Sequence, residues 1–170
     1  DTIFDVATAK NCTLKRISDY EFDSQEKRIL ILTDKTPIYR HSFTTTYYVY
    51  NITRNELEPL SEKPGLQNLA QFSPNGRMIV FARENNLFIK KLDFNTEIQI
   101  TKDGEFNKVI NGTADWVYEE EFGCTRYFAW SPDSKLLAWV RFDESEIKQF
   151  SFDVYDHPYD KAYTYKYPKA

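Results

Sequence analysis

Three consecutive carboxylates, Glu119, Glu120 and Glu121, are the residues of this 170-residue chain whose type and spacing ask most directly for a chemical partner. A primary ammonium presents three donors in a tetrahedral array. Two adjacent carboxylates accept two of them through charge-assisted hydrogen bonds, each about twice as strong as a neutral one. In a wall that holds little water, such a pair separates a free amine from an amide, because an amide brings no charge to offset theirs. The run lies in Asp115-Trp-Val-Tyr-Glu-Glu-Glu-Phe-Gly123, where Asp115 can cap a helix start and Gly123 can close it in the left-handed conformation. That predicts a short helix over 115–122 with the carboxylates in its last half. There they meet the negative end of the helix dipole, at roughly a few tenths of a kcal/mol each, and repel one another. Local stability does not account for the run. Two other readings stand beside the amine site. An acidic run is commonly a solvated face, and carboxylates can hold a metal. No His lies nearby, so a metal site is set aside and no cofactor is expected.

The elements that must position this helix read as strands. Helical periodicity is nearly absent, and short apolar runs rich in β-branched and aromatic residues recur, among them 28–32, 46–50, 77–81, 86–90, 97–100, 135–140 and 150–155. One segment repeats. Phe72-Ser-Pro-Asn-Gly-Arg-Met-Ile-Val-Phe81 aligns with Trp130-Ser-Pro-Asp-Ser-Lys-Leu-Leu-Ala-Trp139, and Phe22-Asp-Ser-Gln-Glu-Lys-Arg-Ile-Leu-Ile31 is a weaker copy. Each is an aromatic, a tight turn, a basic residue and an apolar run, hence strand–turn–strand. Proline presets one turn angle, and Asn75-Gly76 supplies the positive φ a hairpin needs. A period of about 50 residues with four strands is the signature of a propeller blade. The fold class is therefore all-β: about three blades of a larger β-propeller with one short helix, residues 1–170 forming a partial propeller domain. The alternative is a β-sandwich with coincidental Ser-Pro turns. Three blades alone leave end faces with exposed apolar surface and strand edges, so the isolated chain is expected to be poorly stable.

Composition narrows the classes further. Hydrophobic residues make up 41% and charged residues 28%, a globular balance. A net charge of −4 without a basic block excludes a phosphate-backbone partner, so no nucleic acid is expected. No apolar run approaches 18 residues, so no membrane span is expected. The start at Asp1 shows no leader, from which a signal peptide is expected to have been removed or left out. Cys12 and Cys124 read as buried free thiols, with a disulfide left open. Sequons at Asn11, Asn51 and Asn111 matter only in a eukaryotic secretory pathway.

The segment Asp115–Glu121 resembles the double-glutamate motif of the dipeptidyl peptidase IV family, prolyl oligopeptidase-type serine exopeptidases. Its lead-in Asn111-Gly-Thr-Ala114, the following Trp130-Ser-Pro-Asp133, the upstream Tyr39-Arg-His-Ser-Phe43 and the far Tyr167-Pro-Lys-Ala170 are similar to the family in order and spacing. The resemblance implies an eight-bladed propeller covering an α/β-hydrolase domain, and removal of X-Pro or X-Ala dipeptides from a peptide with a free N-terminus. It implies that Glu120 and Glu121 hold the substrate's amino group, that Arg40 contacts the carbonyl of the residue after that amine, and that Glu119 is not a principal ligand, so its truncation should matter far less. Two carboxylates and one guanidinium sum to −1, and an ammonium makes the assembly neutral. By the same resemblance the location is periplasmic, cell-surface or secreted, and a homodimer is expected through an extension of the fourth-blade region. His41 reads as structural and His157 as surface. The family's Gly-x-Ser-x-Gly nucleophile string does not occur, and no Ser-Asp-His triad can be assembled. No catalytic residue is therefore placed in this chain, which alone should be inactive; the hydrolase domain is its expected partner. The alternative function is a non-catalytic propeller serving as a protein-interaction platform.

Overall fold

Short runs that are apolar at every position, such as Ile29-Leu-Ile-Leu32, need cover on both faces of a sheet, and stacked blades provide it. The computed structural model describes residues 2–155, 158–159 and 161–166. Strands β1 (Asp19–Phe22) and β2 (Arg28–Leu32) form a hairpin, and a two-residue pair, β3 (Thr36–Pro37) with β4 (Phe43–Thr44), then leaves the sheet. Strands β5 (Tyr47–Asn51) and β6 (Glu56–Pro59) complete an antiparallel sheet in the order β1-β2-β5-β6. A second four-stranded meander follows, of β7 (Asn68–Phe72), β8 (Met78–Arg83), β9 (Asn86–Lys91) and β10 (Thr96–Gln99). Pairing then shortens. Strand β11 (Val109–Asn111) leads into helix α1 (Trp116–Phe122), and β12 (Phe128–Trp130) pairs with β13 (Leu137–Trp139). Strand β14 (Arg141–Asp143) returns to β11, and β15 (Gln149–Val154) with β16 (Lys161–Lys166) forms a separate hairpin.

Alternation along each strand sets the stacking, because successive side chains point to opposite faces. Leu30 and Leu32 of β2 meet Ile79 and Phe81 of β8 between the first two sheets. Ile29 and Ile31 face the other way, onto Tyr50, Leu57 and the N-terminal residues Phe4, Ala9, Cys12 and Leu14. On the far side of β8, Val80 and Ala82 pack with Phe128, Trp130 and Leu137 of the third unit. Among the described residues the architecture is thus nearly all-β, two complete blades and a third made of short pairs, and the sheets do not close into a ring. One expected open face is covered, since residues 4–14 lie over the first blade. The other expectation holds at the third unit, where Leu136, Trp139 and Val140 are exposed.

The three repeats make one turn. Asp23, Ser73 and Ser131 each donate their backbone N–H across the hairpin, to the carbonyls of Arg28, Met78 and Leu136 at 3.0, 2.8 and 2.8 Å. Three residues on, Glu26, Gly76 and Ser134 each donate back to the first residue of the turn at 3.0, 2.8 and 2.9 Å, all with positive φ of 54°, 68° and 62°. The weaker copy is therefore a full structural copy, although only the middle one carries glycine there. The turns also touch. Ser24 Oγ donates to Pro74 O at 2.6 Å, Arg28 donates to Gly76 O at 3.1 Å, and Asn75 N donates to Ser134 Oγ at 3.0 Å. They form a continuous rim that sets the blades side by side.

A Cβ on Gly76 would add left-handed strain and stand 3.0 Å from Asp23 Oδ2. In the intact protein, Gly76→Ala should lower stability by about 1–2 kcal/mol, seen as a lower urea midpoint, whereas Glu26→Gly at the equivalent position should not lower it.

Candidate functional site

Two insertions, each leaving a sheet between its strands, bring the charged residues together. The first is the β3–β4 hairpin, whose tip is closed by Ile38 N donating to Ser42 O at 2.9 Å and carries Arg40, His41 and Ser42. The second is α1. Asp115 caps it, its Oδ1 accepting from Tyr118 N at 2.7 Å, and Gly123 ends it in the left-handed conformation (φ 62°), donating to Glu119 O at 2.9 Å.

Arg40 Nε donates to Glu120 Oε1 at 3.1 Å, joining residues 80 positions apart. The arginine side chain is 70% exposed and the glutamate 21%. An exposed pair of this kind contributes about 0–1 kcal/mol to stability, so it does not hold the two insertions together. Among the described residues Glu120 engages Arg40 alone, and Glu121 is exposed with no hydrogen bond or ion pair of its own. The structure thus brings Arg40 and Glu120 together, leaving one oxygen of Glu120 as an acceptor beside the guanidinium, while Glu121, next along the helix, stands exposed and makes no hydrogen bond or ion pair with Arg40. That arrangement can take a cation, or a group that pairs an ammonium with a carbonyl.

The first glutamate behaves differently. A helix advances about 100° per residue, so when Glu120 points at Arg40, Glu119 points into the protein. Glu119 is fully buried. Its Oε1 accepts from His41 N at 2.6 Å and from Ser42 N at 3.0 Å, while Oε2 has no partner among the described residues. His41 enters the site through its main chain; its side chain is exposed.

Beside the helix lies a cavity of about 490 Å3, lined by Tyr39, Ser42, Asp115, Trp116, Glu144 and Lys166 among others. Arg40, Glu120 and Glu121 do not line it, so this cavity and the Arg40–Glu120 pair are separate places. Two acids are buried there, Asp115 and Glu144. Burial pushes the Glu144 carboxyl up to about 7, a hydrogen bond to the Asp115 carboxyl and its charge add to the rise, and Lys166 opposes it. Lys166 Nζ also donates to the Glu144 backbone carbonyl, and Glu144 N donates to Lys108 O at 2.6 Å. Burial, with nearby carboxylates adding, pushes the Tyr39 hydroxyl up to about 12, so it stays neutral. Nothing in the sequence marked Glu144; its neighbours are set by the β11–β14 pairing.

Other sequence expectations resolve plainly. Cys12 and Cys124 are free thiols, half-buried rather than buried: Cys12 lies in the N-terminal segment packed over the first blade, and Cys124 follows the helix, its Sγ donating to Arg126 O at 3.2 Å. The Asn111 sequon is closed by burial: its side chain donates to Asp103 Oδ1 at 3.0 Å. His157 and the segment 167–170 lie outside the described residues. No helix among the described residues is long and apolar enough to cross a membrane.

Blades of antiparallel meander, stacked through two-faced apolar strands and carrying a helical insertion, define part of a β-propeller. The particular family is shown by comparison: residues 23–170 match the family model described as the dipeptidyl peptidase IV (DPP IV) N-terminal region, and the chain belongs to that family. It is 34% identical over 164 residues to the mouse prolyl endopeptidase FAP, covering 94% of this chain and 22% of that protein. It is 39% identical over 160 residues to a probable dipeptidyl-aminopeptidase B of Talaromyces stipitatus, covering 85% of this chain and 18% of the relative. The crystal structure of Porphyromonas gingivalis dipeptidyl peptidase 4 superposes with a TM-score of 0.95 at 50% identity, over 100% of this chain and 24% of that one. The chain thus spans about a fifth of the length of the curated relatives it matches.

The Glu144 carboxyl has a pH consequence. An unfolded chain releases this proton near the ordinary value of 4.5, whereas the folded protein keeps it to about 7. Between those values the folded state binds the extra proton, so this group's contribution to stability falls as pH rises and levels off above about 7. Melting temperatures measured from pH 4.5 to 7.5 should fall less steeply in Glu144→Gln than in the unmodified protein; identical slopes would remove Glu144 as the cause.

Proposed function

We propose that this chain is the substrate-recognition part of the propeller of a serine dipeptidyl peptidase, and that Glu120, Glu121 and Arg40 hold the free amino terminus of a peptide. The observation that carries the reading is the 3.1 Å pairing of Arg40 with Glu120 across two separate insertions. It sets one guanidinium against one carboxylate, with the exposed Glu121 next in the helix, and in this reading an ammonium would complete the charge balance of the three. Arg40 takes one oxygen of Glu120 and leaves the acceptors that an ammonium's three donors need. Its remaining N–H groups, unengaged among the described residues, can meet the carbonyl of the residue after that amine.

The pair then works as a ruler. Fixing the amine fixes how far along the peptide a nucleophile on a hydrolase domain can reach, which is the second peptide bond. Positioning of this kind can supply about 7–11 kcal/mol of a barrier when it is complete. Here Arg40 and Glu121 are exposed and Glu120 is partly so; walls from the rest of a ring would lower the local dielectric and strengthen both the pairing and its discrimination against an acylated terminus. The preference for Pro or Ala in the second position, and action at a cell surface, in a periplasm or outside the cell, belong to the same proposal and rest on family likeness.

In the intact peptidase, Glu120→Ala or Glu121→Ala should each lower kcat/KM on a dipeptide substrate with a free amine by about 100-fold, the loss of a charge-assisted bond with its partner left unpaired. An N-acetylated version of the substrate should be cut poorly by the unmodified enzyme. Dipeptide release that ignores both changes would sink the reading, and an intact protein that releases no dipeptide would favour the non-catalytic platform.

A further inference from the structure

Glu119 is fully buried, and its burial places a carboxylate where it makes no contact with solvent or with the open charged face. A buried carboxylate needs compensation, and here it comes from main-chain donors of a single loop: Glu119 Oε1 accepts from His41 N at 2.6 Å and from Ser42 N at 3.0 Å. Those two N–H groups immediately follow Arg40 in the chain. Arg40 itself is 70% exposed, and its one side-chain hydrogen bond among the described residues is to Glu120. The backbone that aims Arg40 is therefore held by the residue adjacent to the one Arg40 meets.

We infer that Glu119 is a positioning residue for the amine site: it fixes the Arg40-His41-Ser42 turn on the helix so that the guanidinium stands against Glu120. The helix supplies both halves of the device at once. Its consecutive side chains diverge, Glu119 reaching inward to the loop's N–H groups and Glu120 outward to the same loop's guanidinium. Rotation or fraying of α1 would release the two together. This gives Glu119 a larger part than its sequence position implied, and the inference rests on the amine-site reading above.

The test is a double-mutant cycle in the intact peptidase. Glu119→Gln keeps the shape and one acceptor oxygen but removes the charge, and it puts an NH2 group where Oε2 finds no partner among the described residues. KM for a dipeptide substrate with a free amine should rise on the order of tenfold, with kcat little changed. Combined with Arg40→Ala, Glu119→Gln should add little further, because the group it aims is gone. Equal fold-changes with and without Arg40 would overturn the inference, since a residue that merely supports the fold acts independently of that side chain. An unchanged KM in Glu119→Gln would overturn it as well. Should Glu119→Gln fail to fold, as judged by its melting temperature, Glu119→Asp carries the same cycle. Glu120→Ala separates the two levels: if Glu120→Ala and Arg40→Ala raise KM while the cycle is additive, the amine site stands and the inference falls. If neither raises KM, the amine site itself fails and the inference with it.

Discussion

A single buried carboxylate oxygen accepting two backbone N–H groups is the contact on which the arrangement of this site depends. The visible ion pair, Arg40 with Glu120, is exposed and by itself worth little. What keeps it in register lies one residue away and one layer deeper, where Glu119 ties the tip of one inserted hairpin to the side of one inserted helix. Main-chain donors cannot swing away as side chains do, so this tie has a fixed geometry. The clustering of three glutamates against the helix dipole, costly on local grounds, has a physical account at Glu119 and Glu120: one anchors, one pairs.

The sheets beneath serve as a stiff mount. Strands β2 and β8 bury both faces, each handing alternate side chains to a different neighbour. Ile79 thus packs into the first blade while the next residue, Val80, packs into the third unit. Insertions leaving such strands inherit their positions. The β3–β4 hairpin and α1 come from the first blade and the third unit, and they meet with the second blade between their points of departure.

Much of this was legible in the residues, for identifiable reasons. Ser-Pro turns followed by apolar runs repeat at a spacing of one blade, and the turn's hydrogen bonds recur even at Asp23-Ser-Gln-Glu26, where no proline or glycine announces them. Asp115 and Gly123 bracket the helix as a cap pair whose chemistry is local. The burial of Glu119 was not legible, because its partners are backbone groups that every residue but proline carries and that lie 77 and 78 positions away. Glu144 was hidden for a similar reason: an acid in a loop-like stretch gives no sign that a two-stranded pairing will bury it beside Asp115. The covering of the first blade by Phe4, Ala9, Cys12 and Leu14 escaped as well, since scattered apolar residues lack a period.

The rim of touching turns bears on how such a molecule tolerates divergence. Two of its contacts end on main-chain carbonyls, of Pro74 and Gly76. An acceptor of that kind survives any substitution, because every amino acid brings one. Replacement of Ser24 or Arg28 deletes a donor but never the socket it used, and a new donor nearby can refill it. The third contact differs in kind, since Asn75 N donates to the Ser134 hydroxyl, an acceptor that goes with its side chain; substitution therefore bears unequally along the rim, sparing the sockets at residues 74 and 76 and removing the one at 134.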